Sequence, residues 1–374
     1  MAKQKSKKRA SRDVATPARP VPANSHAAAS NPVAPKTAGS SAPAHWAWTI
    51  SILLIGALLI GGAIFFLRDT ELTVATAQPA AVAEAATPTP APTAPSRPDS
   101  APPGIVDYCK RSPLFRDTEG FSTRSVLSTA ERGVKGAIMV EVDENGQVTR
   151  NYQHPSWDDA GYLGHVVLDR GGNLYTFPAP YVSLIDNPPE LQNIIYRIDS
   201  TTAELTRFYT LTAPALPTGE NPFGIMGLAY DCDTESLYAS SVAGSTRAET
   251  LGQIVRLDLA TREVRFRYEG VDAFGMGLYI GPTGKRLYYG LTRTPEIYSI
   301  GVDDAGNLLD DIRLEITLPD PSLKARRLIF ATDGSLQVRS RPFDFNLIVT
   351  SERPEVLFTY QLDEATQQWQ LVQP

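Results

Sequence analysis

GLYIGPTGKRLYYG, at residues 277–290, contains two runs of apolar and aromatic residues joined by a central Pro-Thr-Gly turn. Runs of this kind on either side of a Gly- or Pro-containing turn are typical of a β-hairpin. Three other stretches share the pattern, namely HVVLDRGGNLYTF (165–177), GLAYDCDTESLYAS (227–240) and RLIFATDGSLQVRS (327–340). The first residues of the four stretches lie 50 to 62 residues apart, so the hairpin repeats at a nearly constant interval.

A second type of hairpin alternates with the first. Its five copies are MVEVDENGQVTRNY (139–152), IYRIDSTTAELTRFY (195–209), IVRLDLATREVRFRY (254–268), IYSIGVDDAGNLLDDI (297–312) and LFTYQLDEATQQWQLV (357–372). The Asp, Gly, Thr and Asn residues at their centres are those that close tight turns. One hairpin of each type gives four strands per period, which matches a β-propeller blade; a β-sandwich would not show this fixed alternation.

The repeat predicts an all-β fold, and within that class a β-propeller. We count five blades, four of them within residues 164–372. The first blade contains the hairpin at 136–153 and takes its other strands from residues 105–130, with FSTRSVLS (121–128) as the candidate. Six blades is the alternative, because FDFNLIVTS (343–351) has the composition of an additional strand.

The hairpins between residues 136 and 372 resemble those of the generic propeller superfamily without Trp-Asp repeats, which includes NHL-repeat, strictosidine-synthase-like and gluconolactonase-like proteins. The resemblance rests on units such as GLYIGPTGKRLYYG; the blade ends carry no Trp-Asp dipeptide, and no Gly-Gly pattern of kelch repeats is present. A gluconolactonase-like protein is expected to hold a metal ion in its channel with a Glu, an Asn and an Asp. Those ligands do not map onto individual residues of this chain, so the resemblance implies the fold and not an activity.

Residues 46–67, WAWTISILLIGALLIGGAIFFL, are apolar or small throughout and carry no charge. As a helix this segment would be roughly 33 Å long, about the thickness of the hydrocarbon core of a bilayer. Residues 1–45 contain eight Lys and Arg against one Asp. Because such basic residues stay on the cytoplasmic side, we predict a single-pass protein of the cell membrane with a cytoplasmic N-terminus and an extracytoplasmic C-terminal domain.

Two segments of low complexity flank the predicted transmembrane helix. Residues 1–45 are predicted to be a disordered basic cytoplasmic tail, and residues 68–104 a Pro/Ala-rich linker that holds the propeller away from the membrane. A signal peptide cleaved near Ala77 is the alternative to a permanent span. In both cases the β-propeller domain, residues 105–374, is exported.

The exported domain is acidic. Of the 35 Lys and Arg residues ten precede residue 105, and of the 41 Asp and Glu residues five do, which leaves a formal charge of −11 on the remainder. Nucleic-acid-binding domains are typically basic. We therefore expect no nucleic-acid partner.

The loops of the repeat predict where a ligand would bind. In a four-stranded blade the B–C and D–A connections lie on one face, and here they are longer than the turns on the other face. Long loops on a rigid scaffold often carry binding residues. We call this side the loop-rich face, and its candidate ligand-binding residues are His154, Asp158, Asp159, Glu220, Asn221, Asp272, Arg326 and Arg327.

Two kinds of chemistry are open to this face. Asp159, Glu220, Asn221 and Asp272 offer the oxygen ligands that Ca²⁺ or Mg²⁺ prefers, and the alternative is that they are ordinary turn and cap residues. His165 is the candidate catalytic base, and the alternative is a hydrogen-bonded structural histidine. Because the exported domain contains only two histidines, a zinc site built from several of them is not expected.

The two cysteines of the chain, Cys109 and Cys232, both lie in the exported domain. An even pair of cysteines in an oxidising compartment can form a disulfide. The alternative is two buried free thiols.

Three classes of function follow from these observations. The first is a membrane-anchored propeller that binds a protein, glycan or envelope component through its loop-rich face, without catalysis. The second is a metal-dependent hydrolase of the lactonase or phosphoesterase type, with a carboxylate site at the channel. The third is an accessory subunit of a membrane complex, in which the span makes the essential contact. Carboxylates that converge on one point would favour the second class.

Overall fold

The computed structural model describes residue 104 and residues 107–129, 134–180, 182–345, 347 and 355–373. These residues belong to the compact unit Thr89–Pro374. They form five antiparallel sheets, and the fold is the five-bladed β-propeller that the hairpin repeat predicts. Four sheets have four strands in sequence order, and the first sheet has three.

The elements follow one another in this order. A short helix α1 (Leu114–Thr118) precedes the first blade, which comprises β1 (Ser125–Ser128), β2 (Ile138–Val142) and β3 (Val148–Tyr152). The second comprises β4 (Val167–Leu168), β5 (Leu174–Thr176), β6 (Ile194–Ile198) and β7 (Leu205–Thr210), with short 3-10 helices at Pro155–Ala160 and Pro189–Leu191. The third comprises β8 (Ile225–Asp231), β9 (Ser236–Ser241), β10 (Gln253–Asp258) and β11 (Val264–Glu269). The fourth comprises β12 (Ala273–Gly281), β13 (Gly284–Leu291), β14 (Glu296–Val302) and β15 (Leu308–Thr317), and the fifth β16 (Leu323–Phe330), β17 (Ser335–Pro342), β18 (Val356–Asp363) and β19 (Gln368–Gln373).

The outer hairpins of three blades close with the same turn. An Asp carboxylate at the end of the third strand accepts hydrogen bonds from the backbone N–H groups two and three residues later, at Asp199, Asp258 and Asp363. The residue four positions after each Asp has a left-handed backbone, with φ of 61° at Ala203, 59° at Arg262 and 56° at Gln367. The Asp-centred turns that the sequence predicts are therefore confirmed in these hairpins.

Apolar side chains between neighbouring blades form the core. Met139 and Trp157 are buried between the first two blades, and Tyr238 and Leu287 between the third and fourth. Burying a large apolar side chain contributes about 1.5–3 kcal/mol. Packing between blades is therefore a main source of stability, and it holds the inner strands at fixed positions around the channel.

The inner strands β4, β8, β12 and β16 surround this central channel. Three of them are interrupted near their first residues by a register shift against the next strand, at Met226, at Phe274–Gly275 and at Arg326. A bulge breaks the alternation of side chains along a strand. Met226, Phe274 and Arg326, which occupy equivalent places in three blades, all border the same cavity.

The segment before α1 lies across the opposite end of the channel, which we call the turn side. The backbone N–H of Gly104 donates to the carbonyl oxygen of Ile280 at 2.6 Å. Cys109 and Cys232, which the sequence allowed to be paired or free, form a disulfide. The segment is therefore fixed to the third and fourth blades, and the loop-rich face is left as the other end of the channel.

The predicted tail and membrane span lie outside the described residues, as does the predicted linker apart from Gly104, and among the described residues no helix is long and apolar enough to cross a membrane. Within FSTRSVLS, β1 pairs with β2 as expected. Within FDFNLIVTS, Phe343–Phe345 form no strand, and the described part of the chain has no sixth sheet.

Candidate functional site

A cavity of about 340 Å³ opens at the loop-rich end of the channel. Residues of β1, the residues before β4 and after β5, the first residues of β8 and β12, and residues within β16 and β17 line it. Its volume lies within the range of small-molecule sites. We call it the upper pocket. A lower pocket of about 220 Å³ lies on the turn side, where Asp107 and Lys110 border it.

Four arginines of the fifth blade border the upper pocket. Arg326 and Arg327 belong to β16, and Arg339 and Arg341 belong to β17. Arg327 and Arg339 are direct partners across the two strands, and Arg341 follows two residues later. These three side chains therefore lie on one face of the sheet. We call the four residues the arginine wall.

Among the described lining residues of the upper pocket, one acidic residue accompanies the arginine wall. The acidic residue on the described lining is Glu355, which forms ion pairs with Arg326 and, at 3.8 Å, with Arg339. Within the described part of the chain, the Arg327 guanidinium makes no hydrogen bond and no ion pair. Burial lowers the pKa of Arg327, and the charges of Arg339 and Arg326 lower it further. Arg327 and Arg339 therefore present like charges directly opposite each other at the cavity, which favours an anion.

His165 lies between the two pockets and borders both, as Arg327 does. Its Nε2 is 3.3 Å from the carbonyl oxygen of Leu228, and its ring meets the ring of Phe177 edge-on at 5.2 Å. Burial, followed by the charge of Arg327, lowers the pKa of His165 to about 3. The imidazole is therefore neutral at pH 7, and a group with so low a pKa is a weak general base.

The other side of the upper pocket is apolar. Its lining is contributed by the second, third and fourth blades and includes Leu163, Phe177, Phe223, Met226 and Phe274. We call these five residues the apolar wall.

A strap of three residues supports the apolar wall. The Phe343 ring packs 5.0 Å from the rings of both Phe223 and Phe274. Asp344 is paired with Arg247, with 2.9 Å between Oδ1 and Nε. The guanidinium of Arg293 lies 5.1 Å above the Phe345 ring. The stretch that suggested an extra strand therefore begins as a strap that is held by the third and fourth blades.

Asn221 and Asp272 both contact Ser245, and the polar atoms of their side chains are already used. The Asn221 amide donates to the carbonyl oxygens of Val242 and Ser245 and accepts from the backbone N–H of Phe223. Asp272 accepts from the Ser245 hydroxyl, the backbone N–H of Gly252 and the Arg293 guanidinium. Neither residue lines the upper pocket.

The other candidate residues on the loop-rich face do not reach the pocket either. His154 caps the 3-10 helix at Pro155–Ala160 by accepting from the backbone N–H of Ser156 at 3.2 Å. Asp158 accepts from the Gln153 amide at 2.9 Å. Asp159 and Glu220 are exposed. Across the described ranges, no three His, Cys, Asp or Glu residues are grouped so that they could hold a metal ion.

Of the candidate residues, the structure thus brings together His165, Arg326 and Arg327. It adds Arg339, Arg341 and Glu355, which the sequence analysis did not select. The signal for Arg339 was present in RLIFATDGSLQVRS, because closing this hairpin at its Thr-Asp-Gly turn places Arg339 opposite Arg327. Glu355 lies in a connection outside any repeat, and no local pattern marks it.

Comparisons with protein-family models and with curated proteins give no match. Several solved structures have a similar fold. A luciferin-regenerating enzyme is 15% identical with a TM-score of 0.40, over 64% of this chain and 74% of that one. A gluconolactonase from Xanthomonas campestris is 17% identical with a TM-score of 0.36, over 57% and 64%. An aldose sugar dehydrogenase from Streptomyces coelicolor, in its PQQ-bound form, is 13% identical with a TM-score of 0.39, over 64% and 75%. At these levels the similarity concerns the fold alone.

Proposed function

We propose that this chain is a membrane-anchored, extracytoplasmic binding module whose propeller holds a small anionic ligand in the upper pocket. The observation that carries the proposal is the arrangement of Arg327 directly opposite Arg339. Like charges at directly opposite positions destabilise a sheet. A bound carboxylate or phosphate would accept charge-assisted hydrogen bonds from both guanidinium groups and would remove this repulsion.

Three features support the placement outside the cytoplasm. Residues 46–67 have the length and composition of a membrane span, and the basic residues lie before them. The disulfide between Cys109 and Cys232 fits an oxidising compartment. The ligand would then be an envelope component or a solute that reaches the loop-rich face from outside the membrane.

The metal-dependent hydrolase ranks second. Such an enzyme needs oxygen ligands that converge on one point. Among the four candidate ligands, Asn221 and Asp272 are occupied by hydrogen bonds within the protein, and Asp159 and Glu220 are exposed. The third class, an accessory subunit, depends on contacts of residues 46–67, which lie outside the described residues.

Ligand titration of the full-length protein in detergent tests the proposed binding. Benzoate, acetate, citrate and inorganic phosphate are titrated by calorimetry and by thermal shift. We expect saturable binding of at least one anion, weakened by added salt because the attraction is electrostatic. Arg327→Met should lower its affinity at least tenfold. Arg265→Met is the matched control, since it removes the same charge from an exposed position of β11.

Two results would contradict the binding proposal. One is the absence of saturable binding of every anion in the series. The other is an equal loss of affinity in Arg327→Met and Arg265→Met, because a general charge effect would then explain the binding. The proposed topology has a separate test: once any outer membrane has been removed, a C-terminal epitope tag should be accessible to antibody while the cell membrane is intact, and accessibility only after permeabilisation of the cell membrane would refute it.

A further inference from the structure

The upper pocket combines two chemically different sides. The arginine wall belongs to the fifth blade, whereas the apolar wall belongs to the second, third and fourth blades. An inorganic anion would use only the first of these surfaces. An uncharged apolar compound would use only the second. A ligand that uses both must have an anionic group at one end and an apolar body at the other.

We infer, on the premise of the proposed function, that the ligand is a small organic carboxylate with an apolar, ring-sized body. A carboxylate matches the fork of a guanidinium group in a bidentate pair. A ring of ordinary size fits a cavity of about 340 Å³. The phenylalanine side chains of the apolar wall would meet that ring edge-on or offset, as aromatic groups prefer.

The number of available donors favours one anionic group over several. Glu355 already interacts with Arg326 and Arg339. Arg327 makes no such contact among the described residues, and the Arg339 side chain is 49% exposed, so these two guanidinium groups offer the accessible donors. One carboxylate can accept from both. A polyanion would bring its further charges close to Glu355, at an electrostatic cost.

The apolar wall disfavours a polyhydroxylated body such as that of a sugar acid. Leu163, Phe177, Phe223, Met226 and Phe274 have no side-chain hydroxyl or amide group. Thr129, one of the few hydroxyl residues on the lining, already donates to the carbonyl oxygen of Gly164. Hydroxyl groups buried against this wall would lose their water without gaining hydrogen bonds, which is costly.

A set of four probes separates the two parts of the ligand. Benzoate carries both the carboxylate and the ring, acetate only the carboxylate, benzamide only the ring, and gluconate a carboxylate on a polyhydroxylated chain. We expect benzoate to bind the full-length protein at least tenfold more tightly than each of the other three. Equal affinity for gluconate, or for inorganic phosphate, would overturn this inference.

Two substitutions test the roles of the walls separately. Phe177→Leu should reduce the preference for benzoate over acetate at least threefold, because it removes the ring and keeps an apolar side chain. Arg327→Met should weaken the binding of benzoate and of acetate by the same factor. The matched control is Phe208→Leu, at a buried aromatic residue that does not line the upper pocket. Met226→Gln repeats the test of the apolar wall if Phe177→Leu does not fold.

The outcomes distinguish this inference from the proposal on which it rests. If no anion binds, the proposed function fails. If anions bind through Arg327 but the ring confers no preference, the binding module stands and only the organic-carboxylate inference is wrong. An unchanged preference in Phe177→Leu and in Met226→Gln would also refute it.

Discussion

Asp272 and Arg327 are both charged residues near the loop-rich end of the propeller, yet their surroundings differ. The Asp272 carboxylate accepts hydrogen bonds from Ser245, Gly252 and Arg293. The Arg327 guanidinium makes no hydrogen bond within the described residues, and it lies opposite another arginine. Buried polar groups that the protein itself satisfies stabilise the fold. A charge that is held against a like charge at a cavity points instead to a ligand.

The largest effect that this comparison predicts is on stability, at Asp272. Asp272→Ala leaves the Gly252 N–H and part of the Arg293 guanidinium without an acceptor. We expect the free energy of unfolding to fall by about 3 kcal/mol. This value is at the lower end of the range for breaking a buried ion pair, because the Arg293 side chain is partly exposed. Chemical denaturation of the full-length protein in detergent measures it.

The exposed Asp159 provides the matched control for this substitution. Asp159→Ala should change the free energy of unfolding by no more than about 0.5 kcal/mol. Equal costs for the two alanine variants would contradict a structural role for Asp272. Asp272→Asn keeps one acceptor oxygen. Its free energy of unfolding should therefore lie between those of Asp272→Ala and the parent protein.

His165, which lies beside Arg327, predicts a pH dependence of stability. Its pKa is about 3 in the folded protein and about 6.5 in an unfolded chain, so the unfolded chain binds the extra proton as the pH falls below 6.5. The stability associated with neutral His165 is therefore present above pH 6.5 and is lost toward pH 3. By pH 5 the free energy of unfolding should have fallen by up to about 2 kcal/mol through this group.

Melting temperatures of the parent protein and of His165→Gln at pH 7.5 and pH 5 test this dependence. Carboxylates and the other ionisable groups are common to both proteins, so the difference between the two pH profiles isolates His165. Between pH 7.5 and pH 5 the melting temperature of the parent protein should fall by several degrees more than that of His165→Gln. The reason is that about 1 kcal/mol of stability corresponds to about 2–4 °C in a domain of comparable size. Parallel profiles would show that His165 titrates normally.

The smallest expected effect has the opposite sign. Arg327→Met keeps the aliphatic length of the side chain but removes the charge opposite Arg339. Without ligand, the free energy of unfolding should rise by about 0.2–1 kcal/mol, the usual size of a cross-strand pair. Denaturation without added anion measures it. A fall of more than 1 kcal/mol would place Arg327 with Asp272 among the groups that stabilise the fold.

The fold was accessible from the sequence because its signals are local. The alternating strands and the Asp-centred turns at Asp199, Asp258 and Asp363 each depend on fewer than about ten neighbouring residues. The candidate site was accessible only in part. Arg326, Arg327 and His165 were selected from their loops, but Asp272 was selected by the same reasoning and is occupied by partners from other loops.

The sequence by itself determined the class of fold and the positions of the hairpins, because periodicity and turn chemistry act over short distances along the chain. Only the tertiary structure decided which charges are satisfied. Whether the Asp272 carboxylate meets the Ser245 hydroxyl depends on how the third and fourth blades approach one another, because Ser245 follows β9 and Asp272 precedes β12. The energy of a charge depends on distance and burial in space, and residues remote in sequence set both.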